Sequence, residues 1–345
     1  MKKKIIFNLF VILFVAGGYA CWQVFGPTVR SLQNKYFYIK TGATFIDIKQ
    51  SLVDQKIIIN PFFFNLVSKH LNYSDKVKAG RYLIKNGTSV FSLLRMLRSG
   101  NQSPVNLVIN KLRIKEDLAQ KIAENFECDS ASVMAVLHDK ITLQKYGVNK
   151  NTIMCIVIPN SYQILWNSSA EKIISKLYDE KERFWNAKRI GSSKALNLTK
   201  NQVYIMASIV EEETNKQEDK GNIASVYINR MATGMKLQAD PTVKFALQDF
   251  RLTRIMHKHL VYESAFNTYQ NLGLPPGPIC TPSIKSIDAV LDAPKTNYIY
   301  FVAKPDFNGY SNFSSSYSEH LIFAKAYQQA LDNLIKNKRN KKLRE

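Results

Sequence analysis

The fold is decided by residues 207–243, which read ASIVEEETNKQEDKGNIASVYINRMATGMKLQADPTV. We predict that a core helix ends at residues 211–214, that a second helix follows, and that residues 237–243 form a polar turn. The first helix begins at Thr199, because Gln202 stands three residues later, in the spacing of a capping box. This arrangement places a carboxylate where the chain leaves a core helix, beside a turn able to bind a ligand.

Three consecutive glutamates end that helix, and their positions around its axis separate them. Apolar residues recur at the spacing of one buried stripe: Val203, Met206, Ala207 and Val210. At roughly 100° per residue, Glu212 falls opposite the stripe, whereas Glu211 and Glu213 flank it by about 80°. Taken alone, such a run is typical of a solvated helix end. A carboxyl near the apolar face, however, has its neutral form favoured by desolvation. Periodicity excludes Glu212 as an acid and leaves Glu211 and Glu213.

Short motifs then follow in a fixed order. They are Ala207-Ser208-Ile209 with Glu211, Glu213 and Thr214; Asn229-Arg230; Gly234-Met235; Leu237-Gln238 with residues 240–243; Asn267-Thr268-Tyr269; residues 273–277; and Glu319-His320. In this order they resemble the motifs of the MltG (YceG-like) endolytic murein transglycosylases of bacteria. Weaker matches in the amino-terminal half extend the resemblance over nearly the whole chain. The resemblance implies that the substrate is the glycan strands of peptidoglycan.

The resemblance also implies roles for single residues. The family's catalytic glutamate stands directly before threonine, which is Glu213 here. It would protonate the oxygen between N-acetylmuramic acid and N-acetylglucosamine, then take the proton of the muramic acid C6 hydroxyl as this oxygen attacks C1. The product would be a 1,6-anhydro ring, with no cofactor and no metal. Further residues are expected to bind substrate or line the cleft: Glu211, Gln238, Asp240, Asn267, Thr268 and Tyr269. Asp240 equally fits a turn residue before Pro241.

Three positions depart from the family pattern. Ser311 stands where the family usually has histidine, Ala239 replaces serine or threonine, and Phe266 replaces tyrosine. Each change removes a polar group from the expected cleft. This favours an alternative function, a catalytically weak peptidoglycan-binding scaffold of the cell-wall synthesis machinery. A membrane-tethered hydrolase that uses water is a third reading, and it would leave reducing muramic acid ends.

The amino terminus predicts a membrane anchor. Lysines at positions 2–4 precede residues 5–25, a run of about 20 mostly apolar residues that is long enough to cross a bilayer core. A cleaved signal peptide is the competing reading, but the apolar run is longer than usual and no convincing cleavage site follows it. Lysines ahead of a span stay on the cytoplasmic side. We therefore expect a single-pass inner-membrane protein whose catalytic domain lies outside the cytoplasm.

The chain is divided into four parts, and the expected fold class is α+β. The parts are residues 1–27, the cytoplasmic amino terminus and transmembrane anchor; 28–103, a small α+β module; 104–335, a mixed α/β catalytic domain with a helix-borne glutamate; and 336–345, a basic tail. The family resemblance implies that the small module is LysM-like. Predicted helices span residues 45–55, 61–70, 89–97, 113–126, 130–138 and 170–188; predicted strands span 80–84 and 105–109; and a polar turn is expected at 191–193.

Charge and cysteine content bear on the partners. The formal net charge is +21 in 345 residues, which favours an anionic partner such as wall polymers or acidic lipids. Nucleic acid would require a cytoplasmic domain, which contradicts the predicted anchor. The four cysteines show no metal-binding spacing, and His257 and His259 have no clear third ligand. We expect glycan strands and the inner membrane as partners, and the family resemblance adds the peptidoglycan synthases, both glycan polymerases and transpeptidases.

Overall fold

A computed structural model describes residues 2–31 and 36–342, without the side chains of Lys2 and of residues 337–342. It mixes helices with three small two-stranded sheets, so the expected combination of helix and strand is confirmed. The chain divides into two compact units. The first comprises Met1–Leu107, Ile122–Asp129 and Tyr162–Ala170, and the second comprises Val108–Lys121, Ser130–Ser161 and Glu171–Glu345. The predicted domain boundaries stay a prediction.

The chain begins with one long apolar helix, α1 (Lys2–Phe25). Its residues Lys3–Phe25 are long and apolar enough to cross a membrane. Near its end the ring of Phe25 lies 5.3 Å from that of Phe91, and Tyr19 lies 6.0 Å from Phe63 in an edge contact. The helix is compatible with a single membrane-spanning segment.

The first unit continues with a two-stranded antiparallel sheet and three helices. Its elements are β1 (Tyr36–Ile39), α2 (Phe45–Asp54), α3 (Pro61–His70), β2 (Gly80–Leu83) and α4 (Val90–Ser99). In the sheet Tyr36 pairs with Leu83 and Ile39 with Gly80. Local signals place the helices, since Ser89 caps α4 and Gly100 ends it at φ 74° in the left-handed region. The predicted elements of this unit are thus confirmed, while its LysM-like character stays a prediction.

The middle of the chain adds short elements. They are β3 (Val105–Val108), α5 (Lys115–Ala123), α6 (Ser130–His138), α7 (Lys140–Lys145), a 3-10 turn at Ile153–Ile156 and β4 (Ser161–Ile164). Strands β3 and β4 form the second sheet. The helix predicted from residue 113 begins later, because the Asp117 carboxylate accepts hydrogen bonds from the backbone N–H groups of Arg113 and Ile114. Those two residues therefore precede the helix.

The remaining elements belong to the second unit or begin at its edge. They are α8 (Ala170–Phe184), α9 (Ala187–Ala195), α10 (Lys200–Glu213), α11 (Gln217–Ala232), α12 (Asp240–Leu247), α13 (His257–Leu260), α14 (Ile284–Leu291), β5 (Tyr300–Ala303), β6 (Ser311–Ser314) and α15 (Tyr317–Lys342). Strands β5 and β6 pair antiparallel. Helices α9, α11, α12 and α14 pack around α10. This helix is therefore the centre of the unit.

The central helix corrects one expectation. Its capping box at Thr199 and Gln202 is confirmed, as is its end at Glu213. The single buried stripe is wrong, however, because every residue from Val203 to Val210 is buried. A helix enclosed by neighbours on all sides leaves no solvated face, so periodicity could not sort its residues into inside and outside.

Three further expectations differ from the structure. The helix predicted over 170–188 ends at Phe184, and the turn predicted at 191–193 lies inside α9, because Asn186 caps a new helix through the backbone N–H of Arg189. Within the turn predicted at 237–243, α12 already begins at Asp240, since proline fits the first helical turn. The basic tail, residues 336–345, stays a prediction: α15 continues to Lys342, and residues 343–345 lie outside the described residues.

Candidate active site

Glu213 is the last residue of α10 and emerges directly from the core of the second unit. The eight residues Val203 to Val210 ahead of the three glutamates are buried, and Thr214 after it turns to extended backbone with φ −147° and ψ 144°. Burial raises the pKa of the Glu213 carboxyl from 4.5 to about 7. The carboxyl therefore holds its proton in a substantial fraction of molecules at neutral pH.

Within the described part of the chain, the one side-chain hydrogen bond to this carboxyl comes from α11. The Tyr227 hydroxyl donates to Glu213 Oε1 at 2.7 Å. Tyr227 is fully buried, and its ring meets Phe301 edge to face with centroids 6.1 Å apart. This hydrogen bond lowers the Glu213 pKa and so opposes burial, because it stabilises the charged form. Sequence reasoning missed Tyr227, which stands among the apolar residues of α11 like an ordinary core aromatic.

Charged groups around Glu213 adjust the same pKa in both directions. Asp240 raises it by like-charge repulsion, whereas Arg230 and Lys244 lower it by attraction. Asp240 opens α12 and accepts a hydrogen bond from the Tyr269 hydroxyl at 2.7 Å. Burial, and next the bond to Asp240, raise the pKa of Tyr269, so its phenol stays a donor at neutral pH. The structure thus brings the predicted residues Glu213, Asp240 and Tyr269 into one electrostatic cluster.

The other predicted cleft residues differ in what they offer to a ligand. Gln238 is exposed, and its backbone lies in the left-handed region at φ 51° with its N–H donating to the Thr268 carbonyl. The Thr268 hydroxyl is buried, accepts from the Ala239 N–H at 3.0 Å and lies 2.8 Å from the Thr242 hydroxyl. Thr268 therefore holds the turn that carries Gln238, while the Gln238 side chain faces solvent.

Asn267 is fully buried and serves the loop that precedes Tyr269. Its amide donates to the carbonyls of Leu260 and Tyr262, at 3.0 and 2.8 Å, and its oxygen accepts from the Tyr269 N–H at 3.0 Å. These three hydrogen bonds engage the amide nitrogen and the amide oxygen of Asn267 with other groups of the protein. In this structure Asn267 positions Tyr269.

Glu211 is tied into the protein. Its Oε2 accepts hydrogen bonds from Ser283, Ser286 and Lys220, with Ser283 Oγ at 2.7 Å and Lys220 Nζ at 3.0 Å. Burial alone would raise the pKa of Glu211, but these bonds outweigh it and hold the pKa below the usual value. The carboxylate is thus charged and held at the amino-terminal end of α14.

Glu212 is also paired, which overturns its expected place on a solvated face. Its oxygens lie 2.8 Å from Lys111 Nζ and 3.3 Å from Arg113 Nη2, and its side chain is 18% exposed. The reason is that a segment far away in sequence covers this side of α10. Of the three glutamates, Glu213 alone forms no salt bridge within the described residues.

Arg230 and Asn229 have structural partners. Buried Arg230 donates from Nε to the Ile299 carbonyl and from Nη1 to the Leu237 carbonyl, at 2.7 and 2.6 Å. Asn229 donates to the carbonyls of Thr296 and Tyr298. Helix α11 thereby fixes the strand β5 segment and the turn before Asp240 in relation to Glu213.

The three departures from the expected pattern lie in well-packed surroundings. Ser311 donates its backbone N–H to the buried Asp219 carboxylate at 2.7 Å. Ala239 is fully buried, and the Phe266 ring lies 4.7 Å from that of Phe245. His320 stacks on Tyr300 at 5.1 Å, and burial, and next Arg230, lower its pKa. His320 thus packs as a neutral ring. Within the described residues no group of three or more potential ligands could hold a metal ion.

Comparisons with known proteins agree on one family. The sequence pattern of the YceG-like family matches residues 37–326. A protein named endolytic murein transglycosylase from Bacillus subtilis is 28% identical over 298 residues, covering 82% of this chain and 81% of that protein. One of the same name from Streptococcus pneumoniae is 26% identical over 333 residues, covering 86% of this chain and 60% of that protein.

A solved structure supports the same family. The crystal structure of a putative yceG-like protein from Listeria monocytogenes superposes with a TM-score of 0.55 at 27% identity, covering 84% of this chain and 98% of that chain. Since the family pattern spans most of the chain, from the first strand to α15, the protein described here belongs to the YceG-like family.

Proposed function

We propose that this protein is a membrane-anchored endolytic transglycosylase that cuts peptidoglycan strands between N-acetylmuramic acid and N-acetylglucosamine. One observation carries the proposal: a carboxyl at the end of a buried helix, Glu213, has its pKa raised to about 7 by burial. Such a group can give a proton and take one back at neutral pH. The names of the relatives from Bacillus subtilis and Streptococcus pneumoniae support the substrate class.

The reaction needs one acid and no water. Protonated Glu213 gives its proton to the glycosidic oxygen, and the bond from that oxygen to C1 of muramic acid breaks. The C6 hydroxyl oxygen of the same sugar then bonds to C1, and its proton passes to the Glu213 carboxylate. This closes the 1,6-anhydro ring and restores the acid. The Tyr227 hydroxyl, 2.7 Å from Oε1, stabilises the carboxylate between the two proton transfers.

The surrounding residues take supporting roles in this proposal. Asp240 lies in the electrostatic neighbourhood of Glu213, so its negative charge favours the positive charge that develops at C1. Gln238 presents a polar side chain on the turn ahead of α12, and the Tyr269 hydroxyl donates to Asp240 at the start of that helix. Thr268 holds the turn, Asn267 positions Tyr269, and Glu211 ties the end of α10 to the start of α14. The LysM-like module and the synthase partners remain proposals from the family resemblance.

The test is mass spectrometry of the fragments that the full chain, in detergent, releases from purified peptidoglycan. The parent protein should release fragments that lack one water relative to hydrolysis products. Glu213→Gln should release none, because an amide cannot donate the proton. Glu263→Gln changes an exposed glutamate in the same unit and should match the parent. If Glu213→Gln released anhydro-ended fragments at the parent rate, Glu213 would not be the catalytic acid.

Two other outcomes separate the competing functions. Fragments with reducing muramic acid ends would identify a hydrolase, in which Asp240 beside Glu213 activates water. Binding of intact sacculi without any soluble product would identify a scaffold, which the changes at Ser311, Ala239 and Phe266 favour. Orientation is tested separately: protease added outside intact spheroplasts should digest everything beyond α1.

A further inference from the structure

A groove lined by cations and aromatic rings lies within the second unit, and one of its cations, Lys244, acts electrostatically on the candidate acid. It consists of two adjoining cavities of about 110 and about 170 Å³, which share Arg113 and Phe245. Glu212, Pro241 and Lys244 line the smaller cavity. Because Lys244 also lowers the Glu213 pKa, the groove begins in the electrostatic neighbourhood of the acid.

Arg113 is held rigidly at the junction of the two cavities. Its guanidinium lies 4.7 Å from the centre of the Phe250 ring, and its Nη2 lies 3.3 Å from Glu212 Oε2. Its Nε is buried and has no hydrogen-bond partner in the described part of the chain. The Arg113 side chain as a whole is nonetheless 35% exposed. Because Nε is enclosed, an anion would meet the exposed part of this stacked guanidinium, whose planar fork suits a carboxylate.

The charge at this place is not cancelled within the protein. Glu212 faces two cations, because Lys111 Nζ lies 2.8 Å from its other oxygen. One carboxylate cannot neutralise both of them. The larger cavity adds Lys115 and Lys150 against a single acidic residue, Glu116. The groove therefore carries an excess of positive charge beyond what Glu212 balances.

Aromatic rings give the groove an apolar wall. The centroid of Phe245 lies 6.2 Å from that of Phe250 and 4.7 Å from that of Phe266. Phe266 and Pro278 line the larger cavity together with Phe245. Sugar rings pack well against such faces, while cations at the rim select for negative charge. The combination fits an anionic carbohydrate better than a neutral one.

We infer that this groove binds the carboxylates carried by muramic acid in the glycan strand, with Arg113 as the main contact. The inference rests on the proposed function and adds a specificity to it. Muramic acid carries a lactyl ether whose carboxyl is either free or joined to a peptide with carboxylates of its own. Either source supplies the same planar anion to the guanidinium. Strands whose carboxylates are neutralised should therefore bind more weakly.

The experiment measures equilibrium binding of the full-length Glu213→Gln protein, in detergent, to three fluorescent glycan oligomers of equal length. One carries peptides with free carboxylates, the second carries the same peptides with every carboxylate converted to carboxamide, and the third carries no peptide and a free lactyl carboxylate. We expect roughly fivefold tighter binding of an anionic ligand than of the amidated one, with a smaller ratio at high salt. Tight binding of the first or of the third ligand identifies the source of the carboxylate.

Variants separate the groove from the protein's overall charge. Arg113→Gln should bring the ratio of the two affinities, anionic over amidated, close to one. Lys150→Gln, a change at an exposed residue, should lower this ratio in part. Arg251→Gln removes the same charge from a side chain that is 96% exposed and should keep the full ratio. Equal binding of anionic and amidated strands, absence of binding to all three, or an equal effect of Arg113→Gln and Arg251→Gln would overturn the inference.

This binding ratio is independent of turnover. If the fragment analysis shows that Glu213 is not the acid, the preference for carboxylates can still be read from binding. If the ratio is one while Glu213→Gln has abolished product release, only the groove is refuted.

Discussion

Glu213→Gln should make the protein more stable at alkaline pH while it abolishes activity. The folded-state pKa of Glu213 is about 7, against 4.5 for an unperturbed glutamate. The folded state therefore binds a proton that the unfolded state has already released. The stability contributed by this group is fully present below pH 4.5 and is lost as the pH rises through 7. Glutamine is neutral at every pH, so it avoids that loss.

The size of the effect follows from the two pKa values. The difference between about 7 and 4.5 is 2.5 units, and about 1.36 kcal/mol per unit gives roughly 3 kcal/mol once Glu213 is fully charged in both states. At pH 5 the same linkage predicts that the free energies of unfolding of Glu213→Gln and the parent differ by less than about 1 kcal/mol. For a unit of this size, 3 kcal/mol corresponds to a rise in unfolding temperature of roughly 6 to 12 °C.

The assay is thermal unfolding of the full chain in detergent, followed by tryptophan fluorescence at pH 5 and pH 8.5. Glu213→Gln should unfold at a clearly higher temperature than the parent at pH 8.5 and within a few degrees of it at pH 5. The control Glu263→Gln should follow the parent at both. An equal gain at the two pH values, or a loss at pH 8.5, would show that the Glu213 carboxyl is not desolvated, and the argument for a proton-holding acid would fail.

Three further changes test the surroundings of the site. Tyr227→Phe removes the bond that lowers the Glu213 pKa, so the alkaline limb of the pH profile of kcat/KM should move up by roughly one unit, whereas an unchanged limb would contradict the contact. Lys220→Met leaves the partly buried Glu211 carboxylate without its buried cation and should cost about 3 kcal/mol in a denaturant titration, with recovery when Glu211→Gln is added. Asn267→Ala removes two amide donors from a buried site and should speed limited proteolysis of residues 256–271; equal proteolysis would refute its role in the loop.

Sequence patterns correctly predicted those helices whose ends are set by residues close together in the chain. The capping box at Thr199 depends on residues within one turn of each other and is confirmed. The helix predicted over residues 89–97 is also confirmed, and its ends are equally local, since Ser89 caps it and Gly100 ends it. Two errors have local causes, the Asp117 bonds ahead of α5 and the Asn186 cap of α9. Distant segments also contribute, since α9 contains Gly191, a poor helix residue, and is held by a bidentate ion pair between its Arg189 and Asp288 of α14. No pattern within residues 170–195 contains that partner.

The acid itself shows most clearly where sequence reasoning stops. Glu211, Glu212 and Glu213 are chemically identical and adjacent, and periodicity only placed them around a helix axis. Remote partners make them different. Lys220 and two serines of the α14 segment hold the first, and two cations at positions 111 and 113 hold the second. Among the described residues, the third is bonded only by the neutral phenol of Tyr227. A charged partner would keep the Glu213 carboxyl ionised, whereas burial against a phenol leaves its pKa near neutrality. Among the described residues, both neighbouring glutamates are therefore paired with cations, and Glu213 is not. This difference identifies Glu213 as the candidate acid.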